Sequence, residues 1–347
     1  MKTIKDAVSV YQELSVNDRT AFYLTLSGMI HTDKGSMQEI LIETRFRQGI
    51  YCPHCGTSHI VKNGKRKDGT QRYLCRECGR SFLASTNSIV SGTRKSPEIW
   101  KKYLHCMMER KTLKSTAEDC GISIATAFFW RHKILDALNK TSEKVYLTGT
   151  VEADETYLPV SYKGNHSKSS HFTMPRPAHK RGRDIHASGL SFDQTCVLCA
   201  VDREGIPISG IGKTGKVSSE CVEKMFTGRF GPDITLCTDH EKAYGRFSNN
   251  QELQWIQMDT NQRTNGIYGI QRINAYHSKL KGFLRSCHGV STKYLQNYLT
   301  WHNLMFCTLR KRKEQEKILW MAALAEKVTT KCKEMSRRDP IPVLQST

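Results

Sequence analysis

Residues 149–160, GTVEADETYLPV, open the series of strand-like segments that decides the fold of the second half of the chain. Four more segments rich in β-branched and apolar residues follow: QTCVLCAVDREG (194–205), IPISGIG (206–212), DITLCTD (233–239) and LQWIQM (253–258). One helix is predicted among them at 218–227, and another is predicted to begin near residue 270. Strands interleaved with helices predict an α/β domain built on a mixed sheet.

Changes in composition and periodicity divide the chain further. We predict five parts: a helical N-terminal segment (1–45), a four-cysteine ribbon (46–90), a helix-turn-helix-like region (91–145), the α/β domain (146–310) and a charged helical tail (311–347). Residues 161–188 carry Lys, Arg, His, Gly and Pro without periodicity. That composition predicts a basic loop inserted between the first two strands of the sheet.

The charge of the chain indicates its class of partner. The 347 residues include 53 Lys and Arg against 33 Asp and Glu, which gives a net charge of +20. Such an excess is typical of proteins that bind nucleic acid. No basic amphipathic helix, no bilayer-spanning apolar run and no signal-peptide core can be found, which disfavours a membrane. We therefore expect a cytoplasmic protein that binds nucleic acid.

The strongest local motif is a pair of Cys-x2-Cys turns, Cys52-Pro-His-Cys55 and Cys75-Arg-Glu-Cys78, each followed by Gly. Each turn presents two thiolates to one ion, and four thiolates are the ligand set of a tetrahedral zinc site. Because the protein fills all four positions, this Zn²⁺ is expected to be structural rather than catalytic. A pair of redox-active dithiols is the alternative.

Basic residues crowd the hairpin predicted between the two turns: Lys62, Lys65, Arg66, Lys67 and Arg72. Such a group can be a solvated surface or a site that contacts DNA phosphates. We predict phosphate contact for Lys65, Arg66 and Lys67.

A second DNA-binding motif is predicted in residues 112–138, as two helices joined by a tight turn at Cys120–Gly121. In a helix-turn-helix the second helix enters the major groove. We predict that Arg131, His132 and Lys133 on that helix contact DNA. A purely structural helical hairpin is the alternative.

Two carboxylates occupy strand positions in the α/β region. Asp154 lies within the first strand, and Asp239 ends the segment ITLCTD. Carboxylates on adjacent strands can share Mg²⁺ ions, although each Asp alone also fits a strand-end cap or a turn. The helix predicted from residue 270 adds a polar face at i, i+3, i+4 and i+7, formed by Asn274, His277, Ser278 and Lys281.

The order Asp154, Asp239 and Asn274-x6-Lys281 resembles the catalytic signature of DDE-type insertion-sequence transposases, in the bacterial branch with a zinc ribbon and an Asp-Asp-Asn/Glu-Lys pattern. VEADETYLPVSYKGN and HSKLKGFLRSCHGVSTKYLQNYLTWHN resemble the same branch, and the resemblance covers roughly residues 45–310. It implies an RNase H-like mixed-sheet catalytic domain. It also implies DNA cleavage at the ends of the element and strand transfer, in which a 3′-hydroxyl attacks target DNA.

The resemblance further implies the role of each residue. Asp154 and Asp239 would bind Mg²⁺ or Mn²⁺, Asn274 would stand in the third ligand position, and Lys281 would hold a DNA phosphate. An amide oxygen is a weaker ligand for a hard cation than the Glu of many relatives. Three residues therefore remain open as helpers: Glu152, Glu241 and His277. The implied partners are terminal inverted repeats and target DNA, bound by a homodimer or higher oligomer.

Two other functions stay open at this point. A DNA-binding regulator with the ribbon, the helix-turn-helix and an inactive RNase H-like domain is favoured by the neutral Asn274. A structure-specific nuclease related to RNase H would cut DNA without joining it.

Overall fold

The structure is a computed structural model, and it describes residues 37–47, 49–165, 173–175, 194–259, 264–307, 319–320, 322–328 and 330–340. Three predicted features lie wholly or largely outside these residues: the helices before residue 37, the basic loop beyond residue 165 and the start of the charged tail.

The chain forms two compact units, which are described separately. The first comprises Met1–Glu143 with Arg310–Lys331, and the second comprises Lys144–Leu309 with Cys332–Thr347. The five-part division drawn from the sequence remains a prediction.

The first unit begins with a helix and a small sheet. Helix α1 (Met37–Phe46) is followed by an antiparallel sheet in which the central strand is β2: β1 (Ile60–Lys65), β2 (Gln71–Cys75) and β3 (Ser81–Phe82). The rings of Phe46 and Phe82 pack against that of Tyr73, with ring centroids 5.2 and 5.5 Å from it. The core of the ribbon is therefore small and aromatic.

Three helices follow in the same unit: α2 (Pro97–Met108), α3 (Leu113–Cys120) and α4 (Ile124–Ser142). Helix α3 ends at Gly121, whose φ of 59° is a left-handed conformation that glycine adopts without strain. The Ser123 side chain then accepts a hydrogen bond from the Thr126 N–H at 3.1 Å and caps α4. The predicted pair of helices and the turn at Cys120–Gly121 are thus present.

The second unit is built on a five-stranded sheet with the order β6-β5-β4-β7-β8. Its strands are β4 (Thr150–Pro159), β5 (Gln194–Asp202), β6 (Pro207–Thr214), β7 (Thr235–Thr238) and β8 (Gln254–Gln257). Strands β4, β5 and β6 pair antiparallel, whereas β7 and β8 continue the sheet in parallel with β4. This is the RNase H-like mixed sheet that the resemblance implied.

Helices cover both faces of this sheet. Helices α5 (Ser219–Phe226) and α6 (Ala243–Asn250) pack on one face, and α7 (Gln271–Ser286) and α8 (Leu295–Cys307) pack on the other. Alternate residues of β5 enter the two cores, because successive side chains of a strand point to opposite faces. The remaining elements are the hairpin β9 (Thr264–Asn265) and β10 (Tyr268–Gly269), a 3-10 turn (Thr292–Tyr294) and α9 (Cys332–Ser336).

Among the helices of the described residues, none combines the length and the apolar character needed to cross a membrane.

Candidate active site and metal centre

The strand register explains why two distant aspartates meet. Strand β4 pairs with β7 in parallel, with Thr150 opposite Thr235 and Glu152 opposite Cys237. Two residues further along, the same register aligns Asp154 with Asp239. Both side chains therefore reach the point at which β7 has ended and β4 continues.

These aspartates line one cavity of about 410 Å³ together with Asn274, which lies in the first turns of α7. The other lining residues are His240, Glu241, Met258, Asp259 and Ile270. We refer to this cavity as the acidic pocket. The fold thus brings Asp154, Asp239 and Asn274 into one cavity, although 85 and then 35 positions separate them in the sequence. The roles of the three residues remain a proposal.

Burial and like charges act on the carboxylates of β4. Burial first, and then the charges of Glu155 and Asp239, raise the pKa of Asp154 to about 7, while the Lys281 charge opposes the shift. Burial together with Asp239 and Glu241 raises the pKa of Glu155 to about 7 as well. Without a cation, Asp154 and Glu155 therefore keep protons to a higher pH than ordinary carboxylates do.

Glu155 belongs to the opposite face of β4 from Asp154. Its Oε2 accepts a hydrogen bond from the Tyr244 hydroxyl of α6 at 3.2 Å. Glu155 does not line the cavity, and its charge disfavours ionisation of Asp154 from the other face of the strand.

His277 contacts Asp154 without forming an ion pair. The distance from Nδ1 to Oδ2 is 3.6 Å, which is too long for a hydrogen bond. Burial and the nearby Lys281 lower the pKa of His277 to about 4, so the ring is neutral at pH 7. A neutral imidazole is able to act as a metal ligand or to orient the carboxylate.

The loop after β7 holds Asp239 in place. Asp239 Oδ1 accepts a hydrogen bond from the Glu241 N–H at 3.0 Å, and Lys216 lies 3.2 Å from the Glu241 carboxylate. His240 Nε2 is 2.7 Å from Asp259 Oδ1. The sequence analysis did not single out Asp259, which comes two residues after the end of β8, in the run IQMD.

Glu152, which the sequence left open as a helper of the metal ligands, lies instead against the start of α7. Its side chain is 3% exposed, and Oε2 accepts hydrogen bonds from the N–H groups of Arg272 (2.7 Å) and Ile273 (3.1 Å). The N–H groups in the first turn of a helix have no acceptor within the helix, and Glu152 supplies one from outside. The helix dipole also favours a carboxylate at this end. Glu152 therefore ties β4 to the helix that carries Asn274, and it is not a further ligand in the acidic pocket.

Lys281 lies two turns beyond Asn274 and lines a neighbouring cavity of about 620 Å³ with Leu158 and Arg285. Its charge acts on both Asp154 and His277. It therefore stands at the border of the acidic pocket.

The four cysteines of the ribbon converge. Their Sγ atoms all lie within 4.8 Å of one another. Cys52 Sγ is 3.7 Å from Cys78 Sγ, and Cys55 Sγ is 3.6 Å from Cys75 Sγ. Four sulfurs placed tetrahedrally about 2.3 Å from a zinc ion would be roughly 3.8 Å apart, so the cluster fits structural zinc.

The residues predicted to contact DNA fall into two groups. Lys65, Arg66 and Lys67 are exposed at the tip of the β1–β2 hairpin. The prediction for the helix was wrong, because the side chains of Arg131, His132 and Lys133 are only 4%, 0% and 7% exposed.

The buried cations of α4 bind backbone oxygens. Arg131 donates to the Lys111 carbonyl at 3.0 Å, and Lys133 donates to the Ser91 carbonyl at 3.2 Å. The exposed part of α4 is instead its N-terminal turn, where Ile124 is 53% exposed. That turn is the part of a recognition helix that reaches base edges in a helix-turn-helix.

The strand order defines this unit as an RNase H-like α/β domain. Residues 146–303 match the family model of the ISXO2-like transposase domain, and residues 49–79 match that of the InsA N-terminal domain, a zinc ribbon. Residues 146–303 therefore resemble an insertion-sequence transposase domain, and the zinc ribbon that precedes them is similar to that of InsA.

One relative and two solved structures are similar to this chain. The chain is 24% identical over 268 residues to an uncharacterized protein in the transposable element ISH50 of Halobacterium salinarum, covering 75% of this chain and 86% of that protein. Two solved structures are also similar. The Mos1 strand transfer complex is 10% identical with a TM-score of 0.22, covering 64% of this chain and 82% of that one. The Mos1 mariner paired-end complex with Mn is 11% identical with a TM-score of 0.21, covering 57% and 78%. At these TM-scores the assignment of the fold rests on the strand order itself.

Proposed function

We propose that this transposase cleaves DNA at the ends of its own insertion sequence and joins them to target DNA, using Mg²⁺ or Mn²⁺ in the acidic pocket. The observation that carries the proposal is the alignment of Asp154 with Asp239 on adjacent parallel strands, beside Asn274 in one cavity. Oxygen ligands on rigid elements are what a hard divalent cation requires.

The residues of the pocket fit such a cation. Asp154 and Asp239 would supply carboxylate oxygens, and Asn274 would supply an amide oxygen. Burial, and then repulsion by Glu155 and Asp239, raise the pKa of Asp154, and a bound cation would relieve this cost of ionising the carboxylate. When bound, the metal would stabilise the negative charge that develops on the phosphate oxygens during in-line attack.

The chain's own groups position the reacting atoms. In cleavage, a water oxygen forms a bond to phosphorus while the bond to the 3′ oxygen breaks, which leaves a 3′-hydroxyl. In strand transfer, that hydroxyl oxygen attacks a target phosphate, and the 3′ oxygen of the target departs. Lys281, at the border of the pocket, would hold a non-bridging phosphate oxygen in both steps.

DNA would be bound by the first unit through two surfaces. The exposed tip of the β1–β2 hairpin presents Lys65, Arg66 and Lys67 to the phosphate backbone. The N-terminal turn of α4, from Ser123 to Thr126, would reach base edges in the major groove. This assignment replaces the buried Arg131, His132 and Lys133.

A strand-transfer assay tests the proposal. Full-length protein, a duplex carrying the flanking element end and a supercoiled target should give joined products in Mg²⁺ or Mn²⁺. Asp154→Ala and Asp239→Ala should abolish cleavage and joining while leaving end binding unchanged. Asn274→Ala should reduce the rate less, because a neutral ligand contributes less to cation binding.

Either of two results would contradict this proposal and favour another function. End binding without cleavage by the unaltered protein, in either metal, would leave a DNA-binding regulator with an inactive domain. Cleavage with no joined product would leave a structure-specific nuclease.

A further inference from the structure

The hairpin β9–β10 lies between two segments that line the acidic pocket. Met258 and Asp259 line the pocket before the hairpin, and Ile270 lines it directly afterwards. The turn residue Ile267 is three positions from Ile270, so their Cα atoms are at most roughly 11 Å apart. The tip of the hairpin is therefore no more than roughly 11 Å, Cα to Cα, from a residue that lines the pocket.

An apolar side chain occupies this tip. Asn265 pairs with Tyr268, which leaves Gly266 and Ile267 as a two-residue turn. Gly266 has a φ of 60°, as the first position of a tight hairpin turn requires. The next position is commonly polar, yet Ile267 is 76% exposed, the highest value for a large apolar side chain among the described residues.

Two arginines connect the tip to the strand that carries Asp154. The Arg203 side chain donates a hydrogen bond to the Ile267 carbonyl, and Arg272 Nη1 donates to the Arg203 carbonyl at 2.6 Å. The backbone N–H of Arg272 in turn donates to Glu152, two residues before Asp154. The exposed isoleucine is thus held in a defined position relative to the pocket, with two positive charges at its base.

We propose that Ile267 is a wedge that enters the base stack of duplex DNA at the step next to the cleaved phosphodiester. The inference rests on the proposed function, because it assigns the DNA that reaches the acidic pocket. Aliphatic side chains that insert between base pairs unstack and kink the duplex. Arg203 and Arg272 would neutralise the phosphates on either side of the kink. The bend would bring the backbone at that step into the pocket.

The charge of the molecule favours DNA over a second copy of the chain at this surface. Two chains with a net charge of +20 repel each other where arginines border the contact, whereas DNA is attracted.

Base unstacking can be measured directly. A duplex carrying the element end, with 2-aminopurine at the step next to the cleavage site, should become more fluorescent when the full-length protein binds it in Ca²⁺. Ile267→Ala should bind the duplex and lose this increase. Tyr146→Ala, which removes another exposed apolar side chain of the same unit, should keep it.

Cleavage of a pre-opened substrate separates a wedge from a merely structural role. In Mg²⁺, Ile267→Ala should cut the paired duplex about 10- to 100-fold more slowly than the unaltered protein. A mismatch at that step should restore its rate to within about threefold. An equal loss on both duplexes, or no loss on either, would overturn the proposal. So would dissociation of a protein oligomer on Ile267→Ala, which would assign the tip to a second copy.

The fluorescence and cleavage measurements test the wedge and the catalytic proposal separately. If the unaltered protein unstacks the base in Ca²⁺ but never cuts in Mg²⁺ or Mn²⁺, the wedge stands and the catalytic proposal falls. If it cuts without unstacking, the wedge falls and the catalytic proposal stands.

Discussion

Asp154 is the residue at which the proposed function and the stability of the fold oppose each other. Its pKa of about 7 exceeds the ordinary value of 3.8, so the folded chain keeps a proton that the unfolded chain releases. Asp154 therefore lowers the free energy of unfolding as pH rises from about 4 to 7, and the free energy falls no further because of this group above pH 7.

Asp154→Asn should therefore stabilise the metal-free protein at pH 8. The shift sets an upper limit of about 4 kcal/mol, since one pKa unit corresponds to about 1.4 kcal/mol. Urea unfolding at pH 4 and pH 8 in EDTA measures the difference, which should be smaller at pH 4. Added Mg²⁺ should stabilise the unaltered protein and leave Asp154→Asn unchanged. Equal urea midpoints for the two proteins at pH 8 in EDTA would contradict the prediction.

Glu152 should matter for stability and for the placement of Asn274. Glu152→Ala leaves two N–H groups of α7 without their acceptor and should cost about 1–3 kcal/mol in the free energy of unfolding. Glu152→Gln keeps an acceptor oxygen and should cost less. Urea unfolding ranks the two variants, and the reverse order would show that the hydrogen bonds are not the cause.

The sequence predicts residues at strand ends better than residues on helix faces. Asp239 could be found because it directly follows an apolar strand, and Asp154, which lies within β4, because the resemblance places both in one signature. Asp259 comes two residues after β8 and could have been found in the same way as Asp239. Arg131 and Lys133 could not be placed, because helical spacing shows which residues share a face and not which faces other elements cover.

At the scale of elements, the ribbon depends on its metal. Its apolar core is a small cluster around Tyr73 and Phe82, so zinc should supply most of the folding energy. We expect one zinc ion per chain by elemental analysis, and Cys75→Ser should lose both the ion and end binding. Cys332→Ser, an exposed cysteine outside the ribbon, should keep both. Zinc retained at full stoichiometry by Cys75→Ser would refute the four-thiolate site.

The basic hairpin and α4 should respond differently to salt. Replacing Lys65, Arg66 and Lys67 together by Ala should weaken end binding and reduce the slope of log K against log salt by about 2 to 3. Lys133→Met should leave that slope unchanged, because the buried amine already binds the Ser91 carbonyl. Fluorescence anisotropy across a salt series makes the comparison. An unchanged slope in the triple variant would remove the hairpin from the DNA interface.

At the scale of the whole molecule, the sheet order could be expected from alternating strand and helix patterns, together with the resemblance. The division of the chain into two compact units was harder to predict from the sequence. Residues Arg310–Lys331 belong with the N-terminal part of the chain, although the sequence places them after the α/β domain. Long-range packing of this kind leaves no local pattern.

The assembly on DNA should contain at least two chains. Joining both ends of an element to a target needs two attacking hydroxyls, and each chain offers one acidic pocket among its described residues. Light scattering of the complex with short end duplexes should give two chains and two duplexes. A complex of one chain with one duplex would contradict the prediction.

Strand β4 makes the gene unusually sensitive to small in-frame changes. Within four residues it sends Glu152 to cap α7, Asp154 into the acidic pocket and Glu155 toward Tyr244. Side chains alternate along a strand, so a single codon gained or lost within β4, directly before residue 152, would turn all three to the wrong faces if the pairing of the strand start is kept. Copies of the element that keep an intact reading frame and every catalytic codon could therefore still be silent, through the loss or gain of three nucleotides.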